Sequence, residues 1–104
     1  MKTKVYLGTE VKLNIHIETM GNLSMDDYDF NVEFYCNPRK IVRIEKEELI
    51  RADSANYVAR VDTTRIGIGE IKVKVTAYIP DEDFADGLRT EIVAFNSNIM
   101  VYNS

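Results

Sequence analysis

Histidine and cysteine each occur once in this 104-residue chain, and that scarcity closes off most familiar catalytic chemistry. Ser-His-Asp and Cys-His catalysis need an imidazole to move protons. The imidazole of His16 falls on the polar side of an alternating run, where a surface role is expected. Cys36 falls on the apolar side of another run, so the two side chains point opposite ways in their strands and make no nucleophile-base pair. Structural zinc takes three or four Cys or His ligands at defined spacing, which one of each does not supply. A lone cysteine forms no intramolecular disulfide either, and Cys36 reads as a small core residue.

Cationic side chains are also in the minority. The 13 Lys and Arg stand against 17 Asp and Glu, for a net charge of -4. No basic stripe is available to neutralise a phosphate backbone, so nucleic acid is not an expected partner. No apolar run approaches the ~18 to 20 residues of a membrane-spanning helix, and a membrane is not an expected partner. Met1-Lys2-Thr3-Lys4 leads straight into alternating residues without the apolar stretch of a signal peptide, so a leaderless chain is expected. With 45% hydrophobic and 29% charged residues, the composition is that of a globular protein. A chain of this size suits one domain, 1–104, and no repeat, low-complexity tract or linker divides it.

The dominant positive signal is a period of two, which places alternate side chains on opposite faces of a strand. Val11, Leu13, Ile15 and Ile17 form an apolar face against Lys12, Asn14, His16 and Glu18. Phe30, Val32, Phe34 and Cys36 repeat the pattern, and Val42 with Ile44 continue it after the Asn37-Pro38-Arg39 break. Tyr57, Ala59 and Val61 make a shorter strand, after which Gly67 and Gly69 supply the backbone freedom of a tight connection. Ile71, Val73, Val75, Ala77 and Ile79 predict a long strand stopped by Pro80. A last strand from about Thr90 places Val93, Phe95, Ile99 and Val101 on one face, with a bulge around Asn96-Ser97-Asn98. Thr3 to Leu7 opens the set. Glu45 to Arg51 reads equally as a turn or two of helix and as a short edge strand. About seven strands with turns between them predict an all-β antiparallel sandwich of the immunoglobulin-like kind.

Two acidic connections, 21–29 and 80–88, would be the BC and FG loops of such a sandwich and would lie at one end of it. Asp26, Asp27, Asp29, Asp81, Glu82, Asp83 and Asp86 would then share a rim. Asp81, Asp83 and Asp86 are calcium candidates, because close carboxylates on a loop can supply oxygen ligands. The run lacks an EF-hand's spacing, its flanking helices and its bidentate glutamate, since the twelfth place holds Ile92. A solvated turn is the favoured reading. Phe84 inside that loop either plugs the end of the core, the favoured placement, or stays exposed as a contact anchor; Asp27 is a second contact candidate. Gly67-x-Gly69 lacks the third glycine of a dinucleotide fingerprint and precedes a strand, so it reads as a turn. Asn22-Leu23-Ser24 fits a glycosylation acceptor, a pattern too short to carry weight. Asp53-x-Ala55-x-Tyr57 is similar to a tyrosine corner, although it precedes the fifth strand where such a corner precedes the sixth.

Tyr57 to Glu91 carries a Val-Asp-Thr turn, a glycine pair, a long alternating strand and Ile-Pro-Asp-Glu-Asp-Phe-Ala-Asp-Gly-Leu. This third of the chain resembles small immunoglobulin-like sandwich proteins of phages and prophages of gut bacteria, akin to the N-terminal module of phage baseplate and receptor-binding proteins. The resemblance implies synthesis in a bacterial cytoplasm and a non-catalytic structural or interaction role in a virion, tail, baseplate or capsid. Its partners would be other virion or assembly proteins, or further copies of the chain. The alternative is a calcium- or carbohydrate-binding sandwich using the two acidic loops. No enzyme activity and no cofactor are expected.

Overall fold

Every alternating run forms a strand in the computed structural model, which describes residues 2–18 and 23–103. The strands are β1 Thr3–Tyr6, β2 Glu10–Ile15, β3 Asp29–Tyr35, β4 Ile41–Glu45, β5 Ile50–Asp53, β6 Asn56–Asp62, β7 Gly69–Pro80 and β8 Leu88–Tyr102. They make a five-stranded sheet in the order β1-β8-β7-β3-β4 and a three-stranded sheet in the order β2-β6-β5. The all-β expectation holds, with two corrections. The described residues contain eight strands where about seven were expected, because the 45–51 stretch does both things its residues allow. Lys46–Glu48 form a single 3-10 turn, and Ile50–Asp53 is a short edge strand beside β6. The larger sheet is mixed where an antiparallel one was expected: β1 runs parallel to β8, with Thr3 opposite Ile99 and Tyr6 opposite Tyr102. Alternation reports which face a side chain takes and is silent on strand direction. No helix among the described residues is long and apolar enough to cross a membrane.

Period two also decides what is buried. Leu13 and Ile15 of β2 and Tyr57, Ala59 and Val61 of β6 share one hydrophobic cluster with Phe30, Val32 and Phe34 of β3 and with the five apolar positions from Ile71 to Ile79 of β7. Phe30 meets Tyr57 edge-on, ring centroids 5.3 Å apart at 90°, the geometry in which ring quadrupoles attract. Tyr28 is buried beside them, and its hydroxyl has no hydrogen-bond partner among the described residues. Burial first, then the charges of Glu91 and Asp27, push its pKa up. Removing a buried, unpartnered hydroxyl also removes its desolvation cost. Tyr28→Phe is therefore expected to leave stability unchanged or raise it by about 1 kcal/mol, read as the urea midpoint at constant m. A fall of similar size would show that the hydroxyl is bonded.

The turns place the sheets. Asp62 accepts the Thr64 N–H at 3.0 Å and ends β6 in a 3-10 turn, Thr63–Arg65. The buried Thr63 fastens that turn to the connection between β1 and β2, its Oγ1 accepting the Gly8 N–H at 2.9 Å and its own N–H donating to Thr9 O at 3.2 Å. The tie ahead of β7 is thus made by a threonine, and Tyr57 lies within β6. Gly67 and Gly69 have φ of 90° and 125°, as the tight connection into β7 requires. The bulge in β8 is where the residue pattern put it. Glu70 and Lys72 of β7 span Met100 to Asn96 of β8, and Asn98 adopts φ 63°. Ser97 Oγ donates to Ile71 O at 2.8 Å across the irregularity. Below the bulge, residues 99–102 pair with β1, and Met100 and Val101 among them pair with β7 as well. Above it, 88–96 pair with β7 alone among the described residues.

Candidate interaction surface

The two acidic connections leave the larger sheet at one end, since Asp29 pairs with Tyr78 and Pro80 with Leu88. Gly21 of the first connection, and Asn22 of the acceptor triplet, lie outside the described residues. No three His, Cys, Asp or Glu side chains come together as a metal-holding group among the described residues. The carboxylates hold their own turns instead. Asp81 accepts the Asp83 N–H on Oδ1 at 3.0 Å and the Arg89 guanidinium on Oδ2. Asp86 accepts the Leu88 N–H at 3.0 Å, and Asp27 accepts the Ser24 N–H at 2.8 Å. Because both Asp81 oxygens are engaged, millimolar calcium is expected to leave Tm unchanged. A reversible rise that vanishes in Asp83→Ala would establish a site, since a ligand that binds the native state must stabilise it. Phe84 does not plug the core. It is 48% exposed, at the tip of a turn closed by Phe84 N–H to Asp81 O and Gly87 N–H to Phe84 O. Those local bonds turn the ring outward, so the plug placement is corrected to the exposed one.

A polar cluster on the 23–29 connection was not signalled by spacing. Asp26 accepts Arg51 Nε at 2.9 Å and Nη2 at 2.8 Å, and it accepts the Tyr57 hydroxyl on Oδ1. Lys46 donates to Tyr28 O at 2.7 Å and lies over the Phe30 and Tyr57 rings at 5.5 and 5.8 Å. The bonds from Arg51 and Tyr57, followed by the nearby cationic charges, hold the Asp26 carboxyl at about 2, below its ordinary 3.8. A carboxylate with a lowered pKa stabilises the fold above its ordinary value, and that contribution is lost as pH falls. Asp26→Asn is therefore expected to lower Tm at neutral pH, with the difference from wild type closing between about pH 4 and pH 2. An offset that stays constant to pH 2 would assign the loss to shape and not to charge. The cluster's groups are spent on one another, which is the behaviour of a structural brace.

His16 follows β2 and Cys36 follows β3, so they flank strands of different sheets. His16 Nδ1 donates to Ala55 O at 2.6 Å, and Nε2 lies 3.4 Å from Glu18 Oε1. Those contacts, the Ala55 carbonyl foremost, raise the imidazole pKa. Cys36 Sγ donates to Gly69 O at 3.4 Å, and burial pushes its pKa up. That is the opposite of what an activated thiolate needs.

Five of the exposed large apolar side chains, Phe84, Leu88, Ile92, Val93 and Phe95, lie on the β7–β8 hairpin. Val93 and Phe95 pair with the buried Val75 and Val73, and cross-strand partners share a face. Both therefore point inward, as their alternation predicts, yet they are 55% and 41% exposed. The three-stranded sheet does not cover this part of the larger one. A groove of about 340 Å³ results, with Ile17, Val75, Ala77, Val93 and Phe95 as its apolar wall and His16, Glu18 and Glu91 as its polar one. On the opposite face Ile92 is 59% exposed, and Leu88 and Phe84 continue the apolar surface toward the hairpin tip. Alternation found the inward positions; the width of the covering sheet left no trace in it. Comparison with protein-family models, curated proteins and solved structures returns no match. The resemblance noted for Tyr57 to Glu91 rests on those residues alone.

Proposed function

We infer that the chain is a non-catalytic, immunoglobulin-like interaction module that docks on partner proteins through its β7–β8 hairpin. The observation that carries this reading is the presence of exposed Phe84, Leu88, Ile92, Val93 and Phe95 on the tip and both faces of one hairpin, since exposed apolar side chains gathered on one element mark contact sites. The strand order supports the immunoglobulin-like assignment: β2-β6-β5 matches B, E and D, while β8-β7-β3-β4 matches G, F, C and C′. A virion or assembly setting, with virion proteins or further copies as partners, draws its support from the Tyr57 to Glu91 resemblance. The calcium- or carbohydrate-binding alternative draws less, because Asp27, Asp81 and Asp86 are occupied in holding their turns. Photo-crosslinking in the producing cells tests the reading. A crosslinking residue at Phe84 or Ile92 is expected to give a discrete adduct, while one at the exposed Arg43 of β4 gives none. Equal labelling at all three, or at none, refutes it.

A further inference from the structure

The groove and a free sheet edge lie on the same stretch of β8, and together they define an occupant. Residues 88–96 bond to β7 on one side only among the described residues. Along the other side, every second residue directs its N–H and C=O away from the sheet. A strand laid there completes those bonds, and its alternate side chains enter the groove beside Val93, Phe95 and Ile17. The size of the groove suits small apolar side chains. Its charge selects further. Glu18 and Glu91 stand at the groove, and Arg89, the nearest cation to Glu91 at 3.9 Å, is held by Asp81. A second copy would bring two such acidic grooves and two net charges of -4 together, whereas a cationic strand neutralises them.

We propose that the upper half of β8 binds an extended segment of a partner protein by strand addition. Small apolar residues of that segment alternate into the groove, and a Lys or Arg meets Glu91 and Glu18. This inference rests on the interaction-module reading and specifies its mode.

The test titrates the isotope-labelled full chain, followed by NMR, with an acetylated and amidated peptide. Its groove-facing positions read Lys-Val-Val-Lys, with threonine between them. The expected result is saturable shifts and slowed amide exchange confined to 88–96 and the groove residues. Binding should weaken at least about tenfold for Val93→Glu, and equally for a peptide carrying Glu in place of Lys. The peptide exchange needs no altered protein, so it holds even where Val93→Glu fails to fold. Shifts centred elsewhere, or equal affinity for the Glu peptide, overturn the proposal. No binding, while a crosslinker at Ile92 still captures a discrete partner, overturns strand addition and leaves the interaction role standing. No binding and no adduct removes both.

Discussion

Phe30→Ala is expected to lower stability by about 3 to 5 kcal/mol, while Phe95→Ala lowers it by no more than about 1 kcal/mol. The chemical change is the same, and both rings point to the inner face of the same sheet. Phe30 is fully buried, edge-on to Tyr57 and under the Lys46 ammonium, with Tyr28 at 6.0 Å. Truncating it strips three neighbours of contacts and leaves a cavity that close-packed strands fill poorly. Small domains are stable by roughly 5 to 15 kcal/mol, so this one change removes a large part of the total. Phe95 faces the groove, where water already reaches the ring, and its loss opens no sealed cavity. Urea denaturation of both variants at matched m separates the two cases. Similar costs would mean that the second sheet covers the upper half of β8, and the groove would not exist in solution.

Replacing Gly69 by alanine is expected to lower stability by about 1 to 3 kcal/mol. Its φ of 125° lies in a region that L residues rarely adopt. Crowding is not the cause, because a Cβ at this position would sit 3.5 Å from Cys36 Cβ, an ordinary van der Waals contact. Ligating synthetic segments allows D-alanine at position 69, whose mirror-image preference includes positive φ. The D residue should recover most of what the L residue loses, as judged by thermal and urea unfolding. Equal losses for the two enantiomers would shift the explanation to packing against Cys36. Gly67→Ala, at φ 90° with only the Lys40 side chain at an ordinary 3.9 Å from the added Cβ, should behave as Gly69→Ala does.

What was legible in the residues was local. Alternation located the long strands and named Phe30, Val32, Phe34, Val73 and Val75 as core. The Asn96-Ser97-Asn98 bulge and the Gly67 and Gly69 turn were readable because their signals sit within a few adjacent positions. Long-range facts were not. Asp26 meets Arg51 and Tyr57 across separations of 25 and 31 residues, and none of the three belongs to a pattern that pairs them. The exposure of Val93 and Phe95 depends on how far another sheet extends, and that of Phe84 on which way a short turn closes. The parallel direction of β1 is likewise invisible to a period of two, which reads the same forward and backward.

Pairing β1 with the end of β8 has a consequence for the order in which the domain forms. Thr3 lies opposite Ile99, so this pairing closes a loop that spans most of the sequence. Val5 and Leu7, which pack against the core, have no neighbouring strand until residues 99–102 have been synthesised. Pairings this distant in sequence slow folding, and during translation they leave the first strand waiting while everything between is made. The last few residues act as a latch. A chain stopped at Asn98 would contain every residue of the three-stranded sheet and most of the core, and would still leave β1 without a partner.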